Sequence, residues 1–74
     1  MNTRIRDLRQ DKDITQKEIS KILNISQVAY SYYELGKRNI PLDILMKLAD
    51  FYHTSTDYIL CRTNNPSPYR KHNN

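Results

Sequence analysis

Seventy-four residues with a formal net charge of +4 fit one small domain with a modest core. One glycine and one cysteine exclude an internal disulfide and a glycine-rich phosphate loop, and no alternating run with a hairpin turn suggests a sheet. The charge points only weakly to an acidic partner: residues 1–61 carry nine Lys/Arg against eight Asp/Glu, and the remaining cations are Arg62, Arg70 and Lys71.

The elements read in chain order as five helices with short links. The first is expected from about Thr3 to Asp11, with Ile5 and Leu8 facing inward. Thr15 followed by Glu18 is a capping box, in which the hydroxyl takes an amide three residues on and the carboxylate reaches back. It opens a helix over Gln16 to Leu23, along which Ile19, Ile22 and Leu23 recur at helical spacing. Asn24 tolerates the positive φ of a tight turn. Ser26 caps a third helix, Gln27 to Leu35, which places Tyr30 and Tyr33 on one inward face. Gly36 suits the left-handed residue that ends a helix. Lys37, Arg38, Asn39 and Ile40 form a loop, and Pro41 fits the first turn of helix four. Leu42, Leu45, Leu48, Ala49 and Tyr52 repeat along that helix. Thr54 with Asp57 resembles a second capping box, opening a fifth helix from about Ser55 to Leu60. After Arg62 the sequence TNNPSPYRKHNN lacks periodicity and reads as a flexible, disordered tail, 62–74, dispensable for folding.

Residues 15–34 outline a helix-turn-helix, the motif that lays its second helix in the DNA major groove. The chain resembles the Cro/lambda-repressor-like (XRE-type) helix-turn-helix family. In that family an opening Gln is followed by apolar residues at fixed places. Counting from Gln16, those places hold Ile19, Leu23, Ile25, Tyr30 and Tyr33. Asn24 stands at the turn position usually held by Gly. The flanks IRDLRQDKDIT and YELGKRNIPLDILMKLADFYHTSTDYIL match as well, so the resemblance covers roughly residues 2–61. It implies an all-α, five-helix lambda-repressor-like DNA-binding domain.

The resemblance also implies site residues. Gln16 would hydrogen-bond a phosphate and brace the reading helix, with Lys17 beside it. Gln27, Val28, Ser31 and Tyr32 would lie on the outer face of helix three. A Gln there can pair bidentately with adenine and a Val can touch a thymine methyl. Lys37, Arg38 and Asn39 would lie along the DNA backbone, where neutralised phosphates release counterions. Arg9 and Glu34 would form a structural ion pair, for which the fork of a guanidinium is well shaped. Two residues depart from the family pattern. Tyr32 replaces a common cation or Gln, and Leu35 replaces an Asn that meets a phosphate.

Neither His53 nor His72 has a partner at metal-ligand spacing, and no nucleophile–base arrangement is evident. No enzyme activity, cofactor or small-molecule ligand is expected. No apolar run approaches a membrane span, and MNTRIRDLRQ lacks a signal-peptide core. With the single Cys61, these features suit a reduced, cytoplasmic setting. Two functions fit. One is a sequence-specific regulator of double-stranded DNA, in the manner of a repressor, acting as a homodimer. The other is a helix-turn-helix scaffold for a second protein, such as an antitoxin-like partner, favoured by the tyrosines. The dimer is expected through helix five, because Tyr58, Ile59 and Leu60 cannot all face one core.

Overall fold

The computed structural model describes residues 2–68. Five helices follow in order: α1 (Ile5–Asp11), α2 (Gln16–Leu23), α3 (Gln27–Glu34), α4 (Leu42–Phe51) and α5 (Thr56–Ile59). Among the described residues there is no strand. Each helix sends at least one fully buried side chain to a shared core: Ile5, Ile19, Leu23, Tyr30, Leu48 and Ile59. Leu8, Ile25 and Tyr33 pack on its margin. At about 25 cal/mol per Å² of apolar area buried, these contacts supply the main stabilisation of so short a chain.

Local chemistry sets the helix starts. The Thr15 hydroxyl accepts from the Glu18 amide at 3.1 Å, and the Glu18 carboxylate accepts from the Thr15 amide at 3.0 Å. Ser26 accepts from the Ala29 amide at 3.0 Å. At α5 the cap is Ser55, whose hydroxyl accepts from the Tyr58 amide at 3.0 Å. Thr54, expected to cap, instead donates its buried hydroxyl to the Pro66 carbonyl at 2.6 Å. Pro41 stands just before α4 as its N-cap, with extended backbone, and not within the first turn. α1 begins at Ile5, later than expected, because the Arg4 amide donates to the Ile59 carbonyl at 2.8 Å and so closes α1 onto α5.

All five helices end in one way. The residue after the last helical turn is left-handed: Asp13, Asn24, Gly36, His53 and Cys61, with φ between 51° and 73°. Its amide bonds back three residues and the next amide bonds back five, as in Lys37 N to Tyr32 O at 2.9 Å and Thr54 N to Ala49 O at 2.9 Å. This paired closure satisfies the carbonyls that the helix end leaves open.

The buried face of α4 is Ile44, Leu45, Leu48 and Ala49, continued by Tyr52. Leu42, expected on that face, is 70% exposed, as is its i+4 neighbour Met46 at 54%. The two lie together at the flank of the buried stripe. Ile22 likewise stands half-exposed at the flank of α2. In α5, Ile59 is buried, Leu60 packs against the core, and the Arg4 guanidinium covers the Tyr58 ring at 4.2 Å.

Residues 63–68 are irregular but bonded to the domain. Arg4 donates to the carbonyls of Tyr58 and Thr63 and to Asn64 Oδ1, while Thr54 reaches Pro66. The remainder of the expected tail, including Arg70, Lys71 and His72, lies outside the described residues.

Candidate nucleic-acid interface

α2 and α3 are joined by the Asn24 turn, with the Ile25 amide bonded to the Ser20 carbonyl at 3.0 Å. This closure carries Tyr30 into the core, completely buried, and leaves the opposite side of α3 outside. On that side Gln27 and Val28 are exposed and Ser31 and Tyr32 half-buried. Together with Gln16 from the start of α2 they line one shallow groove. Five of the residues named from sequence therefore meet at one place. Val28, at 62% exposure, offers a methyl surface to whatever enters.

Beneath the groove lies a polar brace. Arg9 Nε stands 2.7 Å from Glu34 Oε2, with side chains only 14% and 4% exposed. Arg9 Nη2 donates to Glu34 Oε1 at 3.3 Å, and Nη1 donates to the Ile14 carbonyl at 2.9 Å. Gln16 Nε2 donates to the same Oε1 at 3.1 Å. One carboxylate thus joins α1, the start of α2 and the end of α3. Burial pushes the Glu34 carboxyl up, but the Arg9 donors, the neighbouring Tyr30 hydroxyl and the Gln16 amide outweigh it and hold it below the usual carboxylate value. The buried Tyr30 hydroxyl sits beside this carboxylate without full hydrogen-bond geometry; burial above all, and then the neighbouring carboxylate, push its ionisation far up.

Electrostatically, the brace removes the one acidic group of α3 from its surface. Glu34 is the sole acid in QVAYSYYE, and it is spent on Arg9. Lys17, Lys37, Arg38 and Asn39 are exposed, the first on α2 and the others in the loop after α3. Of these, Arg38 is drawn back to the groove: its guanidinium lies 5.0 Å from the centre of the Tyr32 ring. Sequence spacing did not suggest this stack. Its signal was an aromatic and an arginine on either side of a helix-ending glycine. Leu35 is 61% exposed at the foot of α3, about two helical turns from Val28 and on the same side. Among the described residues, no group of three His, Cys, Asp or Glu is placed to hold a metal.

The chain matches the helix-turn-helix family over residues 5–59. This chain belongs to the XRE-type helix-turn-helix family. It is similar to the HTH-type transcriptional regulator ImmR of Bacillus subtilis, 40% identical over 60 residues, which are 81% of this chain and 47% of that protein. It is similar also to the uncharacterized HTH-type transcriptional regulator YobD of the same organism, 37% identical over 65 residues, 88% of this chain and 58% of the relative. A third relative is the cryptic phage CTXphi transcriptional repressor RstR of Vibrio cholerae, 35% identical over 51 residues, 69% of this chain and 46% of the relative. The chain spans about half the length of these curated relatives.

Proposed function

We propose that the chain is a sequence-specific DNA-binding transcriptional regulator, acting as a repressor, with α3 in the major groove. The observation that carries this reading is the composition of the groove: Gln27, Val28, Ser31 and Tyr32 beside Gln16, with the only acid of α3 neutralised inside the fold. Such a face offers amide, hydroxyl and methyl groups to base edges without repelling phosphate. The relatives named as transcriptional regulators and as a repressor support the same conclusion. A regulator of this kind is not an enzyme, and a cytoplasmic setting goes with it.

In this reading Gln27 and Val28 specify base pairs, with Ser31 and Tyr32 further along the groove. Gln16, Lys17, Lys37, Arg38 and Asn39 hold the sugar–phosphate backbone. Gln16 does two things through one amide: its Nε2 is committed to Glu34, which leaves its oxygen and remaining hydrogen toward the groove. A homodimer binding two inverted half-sites about one helical turn apart completes the proposal. The homodimer does not draw on α5, because Ile59 is buried and Tyr58 and Leu60 are half-buried within one chain.

The competing reading, a scaffold for a second protein, draws on the exposed Val28 and Leu35. Selection of duplexes from a random pool, followed by a salt series on the winner, separates the two. The regulator predicts an enriched inverted repeat, with affinity falling steeply as salt rises. No enrichment and weak, salt-insensitive binding would favour the scaffold.

A further inference from the structure

Gly36 ends α3 with φ 73°, and the Lys37 amide returns to the Tyr32 carbonyl at 2.9 Å. This closure folds the start of the loop back over the last turn of α3. Arg38 therefore reaches over the Tyr32 ring, with its guanidinium carbon 5.0 Å from the ring centre. The ring is half-buried and lines the groove beside Gln16, Gln27, Val28 and Ser31.

A guanidinium is planar, and its N–H donors lie in that plane. Stacking occupies a face and leaves the donor edges open. Among the described residues Arg38 makes no ion pair. Its charge is thus fixed in position without being neutralised. Elsewhere in the chain an arginine held on a ring spends its edges within the fold: Arg4 covers Tyr58 and donates to Thr63 and Asn64. Among the described residues, Arg38 has the same ring support and no hydrogen bond or ion pair from its guanidinium.

We propose that Tyr32 is a positioning residue, whose ring holds the Arg38 guanidinium edge-outward at the rim of the α3 groove, ready for a backbone phosphate of double-stranded DNA. The inference rests on the DNA-binding reading above. It assigns Tyr32 a role through Arg38 in addition to any base contact, and it explains how an uncharged residue at this place serves phosphate binding. A cation at position 32 would repel Arg38; a ring gathers it in.

A double-mutant cycle on the full chain tests the proposal. The probes are the selected duplex and an unrelated duplex of equal length, each titrated at several salt concentrations. Tyr32→Ala is expected to weaken binding to both duplexes about two- to five-fold. In an Arg38→Ala background the same change is expected to have little further effect. On the unrelated duplex, where no base is read, Tyr32→Phe keeps the ring and is expected to keep the wild-type salt slope. In the free protein, ring-current shifts of the Arg38 side-chain protons should persist in Tyr32→Phe and vanish in Tyr32→Ala. Melting curves of the half-exposed variants check that each is folded.

On the unrelated duplex, equal losses from Tyr32→Ala in both backgrounds would overturn the proposal, as would a Tyr32→Phe variant as weak as Tyr32→Ala. Either result leaves the DNA-binding reading intact. A wild-type chain that binds neither duplex would overturn that reading and the inference together.

Discussion

Glu34 is the residue on which the interface turns. Its carboxylate takes two donors from Arg9 and one from Gln16 while its side chain is almost completely covered. Removing a partner strands a charge that water cannot reach, which is more damaging than the pair's own attraction is helpful. Arg9→Ala is therefore expected to destabilise the domain by about 1–3 kcal/mol, read by urea unfolding. The pair also sets a pH dependence. Because the folded Glu34 carboxyl is held below its ordinary value, its contribution is complete above that value and is lost as pH falls through the depressed one. In Glu34→Gln this part of the acid limb should disappear. The resemblance to the family named Arg9 and Glu34 as partners, and the structure sets them 2.7 Å apart. The Gln16 arm of the brace is legible only in part, since a glutamine has two ends and sequence cannot say which neighbour each will meet.

At the scale of elements, the helix starts were written in short-range chemistry and the inner faces in periodicity. The capping box at Thr15 and the Ser26 cap lie where sequence placed them. Thr54 and Ser55 are adjacent potential caps, and local sequence does not rank them. The tertiary bond from Thr54 to Pro66 decides in favour of Ser55. Leu42 shows the opposite limit: it is in phase with the buried Leu45 and Ala49, yet as the first residue of α4 it stays exposed. The helix ends were only partly legible, at Asn24 and Gly36. Asp13, His53 and Cys61 adopt the same left-handed conformation; Asp and His tolerate it better than most residues, Cys carries no signal for it, and an L-residue is disfavoured there by about 1–2 kcal/mol. Part of that is offset by the extra freedom glycine has when unfolded, so His53→Gly and Cys61→Gly should each stabilise by about 0.5–1 kcal/mol. A fall in melting temperature for both would mean that the side chains, not the turns, matter at these exposed positions.

The whole molecule is small enough that its periphery contributes to its stability. Composition after Arg62 reads as a free tail whose removal leaves melting unchanged. The bonds from Arg4 and Thr54 to residues 63, 64 and 66 change that expectation. Truncation after Arg62 removes these acceptors and should lower stability by about 1 kcal/mol, or roughly 4–8 °C in Tm for a domain of this size. Among the described residues no helix is long and apolar enough to cross a membrane. The organising feature of the molecule is one braced helix whose outer face is shared with the start of α2 and the loop after α3. On the DNA-binding reading proposed above, this face divides into residues that specify and residues that hold. Titration of the selected duplex, across salt and across single base-pair changes, tests it directly with two variants. Gln27→Ala should lose about 1–3 kcal/mol on the preferred site and relax choice at one or two base pairs. Lys37→Ala should weaken all duplexes alike and flatten the logarithmic salt slope by about one. If Gln27→Ala left both affinity and base preference unchanged, α3 would not be the reading helix and the account would fail.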